Sequence, residues 1–202
     1  MPPLKSEGMS PLISEWESRF GDSGQPVRVH LIGVAGSGMS GLASLLLGLG
    51  HRVSGSDRVT SGETERLERT GLRFSSPHSS EAVSDADVVI YSSAIKRGNA
   101  ALDAALEKGI PVLRRAEALA AIMGGKKGVV VAGTHGKTTT SALAAHVLKV
   151  GAMAPSHYVG AEIPILGVNA NWDEKGDYFV AEGDESDGTL VNFHPEHAIL
   201  LN

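Results

Sequence analysis

Apolar and polar positions fall in blocks along this chain. Branched apolar residues crowd 27–33, with the length and density of a strand covered on both faces. Leu and Ala at helical spacing follow over 39–49, and the helix stops near Gly50. A second strand reads at 51–57. Thr60-Ser61-Gly62-Glu63 resembles a capping box opening a helix through 70, with Gly71 as its stop. Short strands at 72–75 and 88–91 come next. Asn99 caps a helix through 108 that Gly109 ends, 110–113 is a further strand, and 116–123 is helical. Strands alternating with helices of this length predict right-handed βαβ units and a mostly parallel sheet.

The pattern restarts after Gly124-Gly125-Lys126-Lys127, the best boundary in the chain. A β-branched run at 129–132 leads through glycines into an Ala/Leu-rich helix ending near Gly151. Beyond it only 178–181 and 198–201 read as strands. The expectation is an α/β protein in three parts: a flexible leader or small cap helix at 1–26, a Rossmann-like parallel-sheet domain at 27–124, and the first part of a P-loop α/β ATPase domain at 125–202. Three strands and one good helix are too few for a P-loop sheet covered on both faces. The second half therefore reads as a piece of a longer enzyme, or as a sheet completed by another chain.

Composition narrows the partners. In 202 residues, 42% are hydrophobic and 20% charged, ordinary for a globular chain, so disorder is not the default. The net charge of −5, without a dense Lys/Arg run, argues against general nucleic-acid binding. With no cysteine there is no disulfide or thiolate metal site. No stretch is long and apolar enough for a membrane span, and none reads as a secretory leader, so a cytoplasmic protein is expected.

The chemistry lies at strand ends. Gly133-Thr134-His135-Gly136-Lys137-Thr138-Thr139 follows an all-apolar strand and opens a helix. Such a turn aims backbone N–H groups at an anion, Lys137 adds charge toward the β- and γ-phosphates, and the Thr138 hydroxyl can hold Mg²⁺. The loop is shorter than the common P-loop, because Val131 stands where the first glycine would fall. Gly36-Ser37-Gly38-Met39-Ser40-Gly41 is a second turn of this kind, with Asp57 about 20 residues on as a ribose-binding acid. The turn recognises pyrophosphate, whether of NAD or of another nucleotide diphosphate. Glu182, first acid after the strand at 178–181, is the candidate metal ligand; Asp184, Glu185 and Ser186 are candidate substrate contacts. Ser92-Ser93 and Arg114-Arg115 lie just past strand ends, where a doubly wound sheet places its ligand. Of eight histidines none has metal-ligand spacing, and only His135 lies in a phosphate loop.

Taken together, these segments resemble the Mur ligases of peptidoglycan synthesis, and among them the alanine-adding branch. The resemblance rests on residues 30–41, Val53-Ser54-Gly55-Ser56-Asp57, Ser92-Ser93-Ala94-Ile95, Arg114-Arg115-Ala116-Glu117, 133–140 and 181–187, in family order across nearly all of 27–202. It implies an ATP- and Mg²⁺-dependent ligase that joins L-alanine to the lactyl carboxylate of UDP-N-acetylmuramate through an acyl phosphate. Gly36, Ser37, Gly38, Met39, Asp57, Ser93, Arg114, Asp184, Glu185 and Ser186 would then hold the UDP-sugar. Residues 133–139 would hold ATP, with Lys137 and Glu182 catalytic and Thr138 and Glu182 on the metal. Family members continue into a second metal-binding His and a third domain, so these residues alone are expected to bind the sugar nucleotide without forming the peptide bond. A homodimer is compatible with this reading. A murein-tripeptide recycling ligase, an NAD-dependent dehydrogenase using the Gly36 turn, and a non-catalytic UDP-sugar-binding module stay open.

Overall fold

The structure is a computed structural model that describes residues 11–21, 25–183 and 190–202. The elements in chain order are α1 (Pro11–Gly21), β1 (Arg28–Ile32), α2 (Ser37–Gly48), β2 (Arg52–Ser56), α3 (Gly62–Arg69), β3 (Arg73–Ser75), β4 (Val88–Tyr91), α4 (Ala100–Glu107), β5 (Val112–Arg114) and α5 (Arg115–Gly124). The C-terminal half adds β6 (Lys127–Ala132), α6 (Lys137–Val150), β7 (Ser156–Tyr158), β8 (Ala170–Asn171), β9 (Tyr178–Gly183) and β10 (His197–Leu200). Two five-stranded sheets result, ordered β3-β2-β1-β4-β5 and β10-β6-β9-β7-β8. Each pairing is parallel except β7 with β8. The α/β class expected from the alternation is the one observed.

The inward and outward alternation of each strand explains how the halves are joined. In β1 and β4, Leu31, Val88 and Ile90 face a central core, whereas Ile32 and Val89 face a smaller cluster under α4. In β6 and β9, Val130, Phe179 and Ala181 face the same central core, and Val129 and Val180 pack with Ala142 and Ala145 of α6. Helices α1, α2 and α5 thus form one middle layer between two sheets. A helix covered on both sides needs apolar or small residues all round, and α2 (SGMSGLASLLLG) and α5 (RAEALAAIMG) have that composition.

Three local readings are settled or corrected. Of the two readings of the leader, the small cap helix is the one observed over residues 11–21, which form α1, with Ile13, Trp16 and Phe20 buried against α5. His51 ties this helix down: its Nε2 donates to the Phe20 carbonyl (3.2 Å) and its Nδ1 accepts the Val27 N–H (3.3 Å). The capping box at α3 sits one residue later than read. Ser61 is the cap and Thr64 its reciprocal partner, because Thr64 Oγ1 reaches back to the Ser61 N–H at 2.9 Å. The C-terminal sheet has five strands where three were expected; β7 and β8 were missed because they are three and two residues long and carry Ser, His and Asn. Asn99, by contrast, caps α4 as read, its side chain accepting from Ala101 and Leu102.

Candidate functional site

Both glycine turns lie at the carboxyl edge of a parallel sheet and lead into a helix N-terminus. Gly33 bends the chain after β1 at φ +89, and Gly36 caps α2 with no side chain of its own. The first-turn N–H groups of α2 therefore point outward without a competing side-chain cap, the arrangement that receives anions. Asp57, at the end of β2, spends one carboxylate oxygen on the Ala35 N–H (2.9 Å) and the other on the Arg58 N–H (2.7 Å). It shapes the turn, and its remaining lone pairs still face a neighbouring cavity.

Two cavities meet at this turn and share Gly36 and Ser92. The larger, about 660 Å³, includes Asp57, Arg58, His78, Ile95 and Asn99 in its walls. The smaller, about 360 Å³, lies between the halves, with Gly36, Ser37, Gly38, Met39 and Ser93 on one wall and Tyr158, Gly160 and Glu182 on the other. Of the arginine pair, Arg115 lines this cleft. Arg114 is exposed, and its guanidinium is engaged by Tyr91 while its backbone N–H donates to Glu117 (2.6 Å). A strand end followed directly by a helix turns consecutive residues to different sides, which the dipeptide alone could not reveal.

The second turn uses Gly133 at φ +133 and Gly136 at φ +83, conformations that suit glycine. Gly136 caps α6, which opens with Lys137 and Thr138. Lys137 Nζ donates to the Gly133 carbonyl (2.5 Å), so its ammonium lies over the turn. The His135 N–H donates to the Asn202 side chain (3.2 Å), and the Thr134 N–H points to the Asn202 carbonyl (3.5 Å). Thr139, itself exposed, follows in the first turn of α6.

Glu182 touches the second turn and lines the cleft that the first turn also lines. Register pairs it with Val131, beside the end of β6. One carboxylate oxygen accepts from the Thr138 hydroxyl (3.2 Å) and the other from the Gly160 N–H (2.7 Å). Two hard oxygen donors from different elements converge there beside Lys137. Mg²⁺ is commonly held by one or two protein oxygens, with water and phosphate completing its shell, so this pair fits that ion. Among the described residues no cage of three or more acidic or histidine ligands exists. Asp184, Glu185 and Ser186 lie outside the described residues.

Sequence reasoning flagged the Arg114-Arg115 pair without choosing Arg115, and missed Tyr158 and Gly160 as cleft residues. It also missed a buried polar chain that ends at His78 in the wall of the larger cavity. His30, 1% exposed, contacts Ser54 (2.9 Å) through Nδ1 and Ser56 (3.0 Å) through Nε2, and Ser56 contacts His78 (2.9 Å). Burial, with His78 and Arg73 nearby, pushes the His30 pKa down to about 4.

Two mainly parallel sheets, each carrying a glycine turn that leads into a helix N-terminus, define an α/β protein. Residues 28–127 match the family described as Mur ligase family, catalytic domain. The chain belongs to the Mur ligase family. It is 45% identical over 175 residues to a UDP-N-acetylmuramate–L-alanine ligase of Methylococcus capsulatus, covering 87% of this chain and 37% of that protein. It is 44% identical over 200 residues to the enzyme of that name from Synechococcus, covering 99% of this chain and 39% of the relative. Among solved structures, a UDP-N-acetylmuramate-alanine ligase from Thermotoga maritima superposes with TM-score 0.79 at 30% identity, over 86% of this chain and 40% of that one. A UDP-N-acetylmuramate:L-alanyl-gamma-D-glutamyl-meso-diaminopimelate ligase from Neisseria superposes with TM-score 0.81 at 29% identity, over 87% and 60% respectively. The chain thus spans 37–39% of the length of these curated relatives.

Proposed function

We propose that the chain is the nucleotide-handling part of an ATP-dependent ligase that joins L-alanine to the lactyl carboxylate of UDP-N-acetylmuramate, with residues 27–124 binding the UDP-sugar and 125–202 contributing to the ATP site. The observation that carries this reading is the 360 Å³ cleft, which runs from the Gly36–Met39 turn to Glu182. A substrate anchored by its diphosphate on the first turn presents its far end to the carboxylate that contacts Thr138 of the second. The nucleoside occupies the larger cavity, where Asp57 and Asn99 offer hydrogen-bond partners.

A carboxylate is a poor electrophile, so the ligase chemistry begins by phosphorylating it. Residues 133–139 orient the triphosphate by their N–H groups and Lys137 neutralises charge on the moving phosphoryl group. Thr138 and Glu182 would hold Mg²⁺, which when bound withdraws charge from phosphate oxygens. The first turn holds the carboxylate in reach, and positioning of this kind supplies a large share of such a rate enhancement. The L-alanine amine then attacks the acyl phosphate and phosphate departs.

The names of the curated relatives favour alanine as the amine, and the structural neighbours support the tripeptide ligase as the second reading. Calorimetric titration of the chain with UDP-N-acetylmuramate and, separately, NADH tests the binding half of the proposal. The sugar nucleotide should bind, NADH should not, and Gly38→Val should abolish binding. Binding of NADH without the sugar nucleotide overturns it.

A further inference from the structure

We propose that Tyr158 is a positioning residue for the first glycine turn, holding the Arg115 guanidinium and the Gly38 carbonyl through one hydroxyl, so that the C-terminal half sets the geometry in which the N-terminal half receives a diphosphate. This rests on the UDP-sugar reading above.

Tyr158 ends β7 and is 4% exposed, so its hydroxyl is held among protein groups. That hydroxyl donates to the Gly38 carbonyl (2.8 Å) and accepts from Arg115 Nη1 (2.8 Å). One oxygen therefore joins β7, the first turn of α2 and the first residue of α5. A methyl group at position 38 would stand 3.0 Å from the Tyr158 oxygen and 3.1 Å from Arg115 Nη1. The glycine's bareness is what lets all three groups meet.

Asn169 makes a parallel contact, its Nδ2 donating to the Ser37 carbonyl (2.9 Å), and its own carbonyl accepts the Val159 N–H (2.8 Å). Two consecutive carbonyls of α2 are thus gripped from the other half. Helix carbonyls and N–H groups point in opposite directions along the axis. Holding Ser37 and Gly38 by their carbonyls fixes the N–H groups of that turn toward the cleft. Arginine carries many rotamers, and its fork recognises phosphate only when oriented. The Tyr158 contact holds that fork beside the turn, inside the cleft.

The test is calorimetry with UDP-N-acetylmuramate on the wild-type chain, Tyr158→Phe, Arg115→Ala and the double variant. Tyr158→Phe keeps the ring and should leave the melting temperature within a few degrees of wild type. Loss of a hydrogen bond to a charged group should weaken binding about tenfold. If the hydroxyl acts through Arg115, the same change in the Arg115→Ala background should cost less than about twofold, a coupling that a purely structural role would not produce. Unchanged affinity in Tyr158→Phe, or an equal loss in both backgrounds, overturns the inference. If Tyr158→Phe unfolds, Arg115→Lys keeps the charge without the planar fork and should show the tenfold loss; unchanged affinity there is also fatal. Absence of binding by the wild-type chain instead brings down the UDP-sugar reading, and this inference with it.

Discussion

Glu182 serves the fold and the site with the same two oxygens. One holds the turn after β7 through the Gly160 N–H, and the other meets the Thr138 hydroxyl at 3.2 Å. Glu182→Gln keeps the size but loses the charge, so it should weaken Mg²⁺-dependent ATP binding by tenfold or more, on the order of the value of a charged contact. Titration of ATP with Mg²⁺ and with EDTA checks this, and equal affinity of both proteins in Mg²⁺ refutes it. Gly48 gives a second test at this scale. A methyl group there would lie 2.8 Å from Trp172 Cβ, an atom next to the backbone that cannot swing away. Gly48→Ala should destabilise the chain by about 1–3 kcal/mol, the usual range for overpacking, as read from urea unfolding.

Among the elements, α1 and α4 show two ways a short helix is secured. Helix α4 depends on a local signal, the Asn99 side chain bonded to Ala101 (3.0 Å) and Leu102 (3.2 Å). Asn99→Ala should cost about 1 kcal/mol. Helix α1 has no acid in its first turn and is held by tertiary burial of Ile13, Trp16 and Phe20. Trp16→Ala should therefore cost about 3–5 kcal/mol, and a loss below that of Asn99→Ala would show that α1 is only loosely attached. The same contrast explains what could be read in advance. Residues 88–91, the α4 cap and both glycine turns carry local signals, and they were legible. Strands β7 and β8 carry none: Ser156 and His157 of β7, and Asn169 just before β8, are buried against partners that only the fold brings to them. Tyr158 was invisible as a site residue for the same reason, its partners lying 120 and 43 residues away.

Across the whole molecule, buried histidines make the fold sensitive to acid. His30, His51 and His157 all have pKa values lowered chiefly by burial, that of His30 to about 4 from 6.5. The folded state therefore binds fewer protons than the unfolded state between these values. Stability from the neutral rings is complete above about pH 6.5 and declines as the pH falls toward 4. His30 alone contributes up to about 3 kcal/mol over that window. Melting temperature should hold level from pH 7.5 to about 6.5 and fall from there to pH 5, and a flat profile across that lower range would contradict the buried His30–Ser56–His78 chain.

Helix α2 turns Gly38, Gly41 and Gly48 toward Tyr158, Asn169 and Trp172. This bare flank restricts how the protein can be recombined. A graft of residues 125–202 onto another dinucleotide-type host will seat only where the host's opening helix is equally smooth at those three positions. A bulkier host would hold the transplant away from its own loop and leave the shared floor of the cleft open to solvent.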